Sequence, residues 1–267
     1  MRRFVSACAI VAVGLALACS QDASVHAQNG QWGTVKGRII WGGKDIPKPQ
    51  KLNLAGKNDE KFCGDVYSEE WVVNAKNKGL KWTFVWLINN DPKDKTPLPI
   101  HPKLKEVTPK EVIIDQPVCT FIPHAVAVRE GQVVIAKNSA KVQHNFKWTG
   151  NPFNENAGNN ILIPPGGALA LKPNLVADRL PVKVECGIHP WMNGWIRVFN
   201  HPYYAVTDES GGFEFKDAPA GQYRLVVWHG SGGWRGGAKG KDGMPITIKA
   251  GGVTDVGDLD YPPPAAN

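Results

Sequence analysis

Residues 185–192 read E-C-G-I-H-P-W-M, which sets Cys186, His189 and Met192 at three-residue intervals. About forty residues upstream, N-S-A-K-V-Q-H-N-F (138–146) offers His144. In a short loop between two strands, positions i, i+3 and i+6 can curl round one ion, and a β-sandwich can bring a fourth ligand from elsewhere in the chain. Two imidazoles, one thiolate and a weak thioether are the donor set of a mononuclear electron-transfer copper site. Soft sulfur suits Cu(I) and imidazole suits both oxidation states, so such a set needs little rearrangement when an electron moves. Zinc is the first rival, because Cys and His bind it too. A structural zinc site would carry a second Cys or His where Met192 stands, so the thioether tips the choice to copper. The bland alternative is a buried Cys and Met with two incidental His; the third-position Met and the upstream His-Asn weigh against it.

These segments resemble the cupredoxins (blue copper proteins), and the short Cys-x-x-His-x-x-Met loop is most similar to that of the amicyanins. The resemblance covers roughly residues 107–202. Within it, Arg129 to Asn138 (R-E-G-Q-V-V-I-A-K-N) reads as the strand entering the first ligand loop, Val182 to Cys186 as the strand delivering the thiolate, and Trp195 to Phe199 as the closing strand. The resemblance implies one type 1 copper held by His144, Cys186 and His189, with Met192 axial and Asn145 holding the ligand loops together. It also implies that the His189 ring edge reaches the surface as the route for electrons. Pro190 and Trp191 would then form an apolar docking patch for a transient redox protein; core packing is the other reading of Trp191.

The first 27 residues read as a leader. Arg2 and Arg3 precede an apolar stretch, Phe4 to Ala18, and Val25-His26-Ala27 is an acceptable cleavage site. A second reading places a lipid anchor at Cys19. The leader predicts export, to a periplasm or to a cell surface or the extracellular space, and no later run is long and apolar enough to span a membrane. Of five cysteines, export leaves Cys63, Cys119 and Cys186. With Cys186 given to metal, an oxidising compartment makes a Cys63–Cys119 disulfide the natural pairing; two buried free thiols are the competing reading. The formal charge of +7 comes from scattered Lys, and no basic-aromatic motif points to nucleic acid.

The chain has 29 Gly, 21 Pro and 10 Trp and lacks long amphipathic helical patterns, which predicts an all-β protein rich in turns. Residues 28–106 read as an N-terminal β region with a Pro/Lys-rich linker, either completing the copper sandwich or forming a module of its own. Its strands are expected at 32–42, at Trp71 to Asn74 and at Lys81 to Ile88, with N-K-G (77–79) as a hairpin turn. Residues 149–167 read as a Gly/Asn/Pro-rich loop, and His101 as solvated. His124 reads either as an extra metal ligand, alone or with Cys119, or as a packed or hydrogen-bonded side chain. From Asn200 the texture changes: T-D-E-S-G-G-F-E-F, then P-A-G-Q-Y-R-L-V-V-W. This resembles the carboxypeptidase regulatory-like (prealbumin-like) repeat and implies a smaller β-sandwich at 203–261 with a structural or docking role, followed by a tail at 262–267. His201 and His229 read as structural.

The expected architecture is therefore a cupredoxin Greek-key β-sandwich plus a prealbumin-like one, and the expected function is electron transfer by an exported copper protein. No nucleophile-plus-base pair stands out, and four protein donors on one copper leave no open position for substrate, so an enzyme is not expected. Two alternatives remain: a non-redox surface protein, structural or carbohydrate-interacting, and copper storage or delivery.

Overall fold

The run T-F-V-W-L-I-N forms the strand Thr83–Asn89 and is apolar almost throughout because both its faces are covered. Side chains alternate across a strand, so Val85 and Leu87 point into one core while Phe84 and Trp86 point into another layer. Its antiparallel partner Gly221–His229 does the same, with Leu225 and Val227 on one side and Val226 and Trp228 on the other. The structure, a computed structural model, describes residues 32–263; the leader with Cys19, and residues 264–267, lie outside the described residues. The described chain is all-β, relieved only by short helical turns at Glu60–Cys63, Pro102–Leu104 and Gly237–Asp242.

One sandwich is built from the middle of the chain. Its five-stranded sheet runs Ala125–Arg129, Asn193–Phe199, Val182–Glu185, His144–Thr149, Gly158–Ile163, and its three-stranded sheet runs Glu111–Asp115, Val133–Lys137, Ala168–Ala170. Ile114, Val134 and Ala136 share one core with Phe146, Val184 and Ile196. The strand Gly158–Ile163 lies inside the stretch expected to be loop. It pairs antiparallel with His144–Thr149, and most of its side chains are exposed, which is why its Asn-rich sequence carries no apolar signature.

The second sandwich joins the two ends of the described chain. Trp32–Trp41 lies between Gly212–Pro219 and Val253–Tyr261, and Thr83–Asn89 lies between Tyr204–Val206 and Gly221–His229. Val35, Ile39, Tyr203, Phe215 and Tyr261 belong to its core. The expected strand at Trp71 to Asn74 is reduced to a single bridge, Val73 to Leu80. The N-K-G turn does form, with Lys78 at φ 60 and the Asn77 side chain accepting from Gly79 N–H at 2.9 Å. His101 is not solvated: its ring packs edge-on against Trp32, with centroids 4.9 Å apart.

An aromatic layer joins the sandwiches. Phe84, Trp86 and Trp228 meet Ala125 and Phe199 from the other sheet. Arg197 is buried there, with its guanidinium 4.1 Å over the Trp86 ring.

Residues 50–68 belong in space to the first sandwich. Leu54, Cys63 and Val66 enter its core, a bridge pairs Lys51 with Tyr67, and the expected disulfide joins Cys63 to Cys119. No helix among the described residues is long and apolar enough to cross a membrane.

Candidate metal centre

Strand alternation aims the site. Val182 and Val184 point into the core, so Cys186, the next residue of that parity, does too. On the neighbouring strand His144, Asn145, Phe146 and Trp148 are buried, and Phe146 and Trp148, of the same parity as His144, enter the core. The loop from Cys186 to Met192 closes on itself: Cys186 N–H donates to the Met192 carbonyl at 3.2 Å, and Met192 N–H donates to the His189 carbonyl at 2.9 Å. Those two bonds fold the three-residue spacing into a cup.

Three donor atoms converge in it. Cys186 Sγ lies 3.9 Å from His144 Nδ1 and 3.8 Å from His189 Nδ1, and the two imidazole nitrogens are 2.9 Å apart. One point in the plane of that triangle lies about 2.1 Å from all three atoms, close to the lengths of metal–imidazole and metal–thiolate bonds. The residues present therefore fit a single first-row metal ion. Met192 is buried in the same core cluster as Cys186 and also lines a cavity of about 380 Å³ together with Trp191, His124 and Glu69.

Asn145 lies beside the loop, as the resemblance implies. Its Oδ1 accepts from Gly187 N–H at 2.7 Å and Ile188 N–H at 3.2 Å, and lies 3.3 Å from Cys186 Sγ. Its Nδ2 donates to Asn160 Oδ1 at 2.5 Å. The Asn side chain thus ties the thiolate-bearing loop to two strands.

Burial pushes the His144 imidazole down to about 4; the nearby His189 ring adds to this and Asp59 partly opposes it. The imidazole is therefore neutral at ordinary pH, as a metal ligand must be. Its Nε2 is buried with no hydrogen-bond partner.

At the site the structure overturns the expectation of an exposed ligand. The His189 ring edge does not reach the surface; the residue is 0% exposed. Asp59, from the segment anchored by the disulfide, covers it, with Oδ2 3.0 Å from His189 Nε2. Cys63 and Cys119 border the same ring. Trp191 resolves toward packing: it rests partly buried on the core and its indole N–H donates to the Cys119 carbonyl at 3.1 Å. Asp59 escaped sequence reading because it lies in a polar, turn-rich stretch 130 residues from its partner; no local pattern marks it.

His124 and Cys119 do not form a ligand pair, since Cys119 is in the disulfide. His124 is buried, with Nδ1 3.5 Å from Glu69 Oε2, and it stands outside the Cys186 cluster.

No family model matches the chain, and no curated protein is similar to it. Among solved structures the chain is similar to amicyanins. One is a methionine-to-alanine mutant in its Cu(I) form, 19% identical, with the match covering 35% of this chain and 87% of that one at a TM-score of 0.30. Another is a reduced tryptophan-to-tyrosine mutant, 16% identical, covering 43% of this chain and 98% of that one at a TM-score of 0.29. Likeness at this level adds no argument to the geometry above.

Proposed function

We propose that this protein is an exported cupredoxin-type copper protein that works in one-electron transfer. The observation that carries the reading is the triangle of Cys186 Sγ, His144 Nδ1 and His189 Nδ1 around a common point. Copper bound there would supply a centre that alternates between Cu(I) and Cu(II). Cys186 would bind as the thiolate and release its proton on binding. His144 and His189 would bind as neutral imidazoles through Nδ1, and Met192 would be the weak fourth donor. Asn145 keeps the loop from opening, and burial of His144, Cys186 and His189 keeps water from the donor atoms. Four protein donors leave no place for substrate, which favours a carrier over an enzyme.

The disulfide supports export to an oxidising compartment. The second sandwich, with its prealbumin-like sequence, would act as a structural or docking module, and the redox partner would be a transiently bound protein.

The test is direct. Cu(II) added to the mature protein should give an intense blue or green colour, with loss of the Cys186 thiol. A colourless copper-loaded sample whose Cys186 still titrates as a thiol defeats the proposal. The covered His189 edge favours one second reading, copper storage or delivery. A redox titration separates the two: a carrier cycles reversibly and a store does not.

A further inference from the structure

Asp59 holds an uncommon backbone conformation for a residue with a side chain, at φ 55; Asp is among the few residue types that tolerate it. Its carbonyl accepts from Phe62 N–H and Cys63 N–H, both at 2.9 Å, and so starts the turn Glu60–Cys63. The turn ends on the disulfided Cys63. Leu52 N–H bonds to the Val66 carbonyl at the base of the same segment, at 2.9 Å. Two constraints, a bridge at the base and a covalent bond at the tip, therefore deliver one carboxylate to one place: 3.0 Å from His189 Nε2.

An ionised carboxylate can only accept. The proton of a neutral His189 ring must then sit on Nε2, leaving the Nδ1 lone pair facing Cys186 and His144. Carboxylates that accept from the remote nitrogen of a metal-binding imidazole fix its tautomer and raise its basicity. We propose that Asp59 is a positioning residue of the copper site: it presents His189 Nδ1 to the metal and places a negative charge behind that ligand. The inference rests on the copper reading above and adds to it a residue from outside the ligand loops.

The charge and the geometry separate experimentally. Asp59→Asn keeps an acceptor oxygen and tolerates the same backbone, but loses the charge. Asp59→Ala loses both. In metal-free protein, imidazole ¹⁵N shifts should show His189 as the Nε2–H tautomer in the wild type and in Asp59→Asn, with the Nδ1–H tautomer appearing in Asp59→Ala. In copper-loaded protein, Asp59→Asn should raise the reduction potential, because the lost charge favoured Cu(II). Asp59→Ala should raise it too and weaken Cu(II) binding roughly 10–100-fold. Far-ultraviolet circular dichroism checks that both variants fold, and Asp59→Asn carries the test if Asp59→Ala does not. If tautomer, potential and Cu(II) affinity match the wild type in the folded variants, the inference is overturned. A wild type that takes up no copper defeats the functional reading instead, and the metal-free tautomer measurement still decides whether Asp59 sets the ring.

Discussion

Both sandwiches bury histidines, and they do different things with them. In the first, His144 and His189 bring their Nδ1 atoms to 2.9 Å with a thiol beside both. In the second, among the described residues, neither His201 nor His229 joins a cluster of donor atoms. His201 Nδ1 accepts from Tyr203 N–H at 3.1 Å, and His229 Nδ1 accepts from Ser231 N–H at 3.2 Å while its ring stacks on Trp71. Burial lowers all three resolved values, His144 to about 4 and His201 and His229 to about 3. A depressed imidazole pKa is thus a mark of burial here. Among the described residues, only the first sandwich adds the converging donors that make a candidate ligand of one.

The sharpest way to break this contrast is at the sulfur. Cys186→Ser should abolish the intense colour of the copper-loaded protein, while His229→Gln should leave the spectrum unchanged; visible absorption reads both. Next is the layer that joins the sandwiches. Trp86→Ala removes a 3% exposed side chain that stacks under Arg197, and should cost about 3–5 kcal/mol in urea denaturation. Paired removal of the disulfide, Cys63→Ala with Cys119→Ala, should cost about 3–4 kcal/mol. Hydrogen exchange should show the loss falling on the first sandwich, where residues 50–68 pack.

The second sandwich should show its histidines in acid. His201 is held down first by burial and then by Arg197 and Arg129; His229 first by burial and then by His124. Both stay neutral in the folded protein below the 6.5 of a free imidazole and take up protons on unfolding. Their contribution is fully present above about pH 6.5 and is lost as pH falls toward 3, by about 1 kcal/mol per pH unit for each ring. Replacing His229 with Gln should flatten that slope by about one proton between pH 6 and 4. The smallest effect is expected at Asn145→Ala, which frees the Gly187 and Ile188 N–H groups and should cost about 1–2 kcal/mol. The copper spectrum should broaden but persist.

The Cys186–Met192 cup was legible because it is local. Three-residue spacing between two strands needs only two backbone bonds to close, and both residue types and spacing are written in eight consecutive letters. The disulfide was legible because cysteines are few and their count is a constraint on its own. The strand Gly158–Ile163 was not, because an edge strand with exposed side chains needs no apolar pattern. The partners of Trp32–Trp41 were not either, because hydrogen bonding between strands depends on backbone groups that every residue shares.

What the linear order carried is chemistry: an all-β chain, a candidate sulfur-and-imidazole donor set, and a cysteine pair left over for a disulfide. These follow from composition, cysteine count and the residue types in two motifs, which folding does not alter. What needed three dimensions is access. That His189 is sealed, that Asp59 does the sealing and that the two ends of the described chain share one sandwich depend on contacts across a hundred residues or more. Such contacts are chosen by the packing of whole sheets against one another, and no short stretch of residues encodes them.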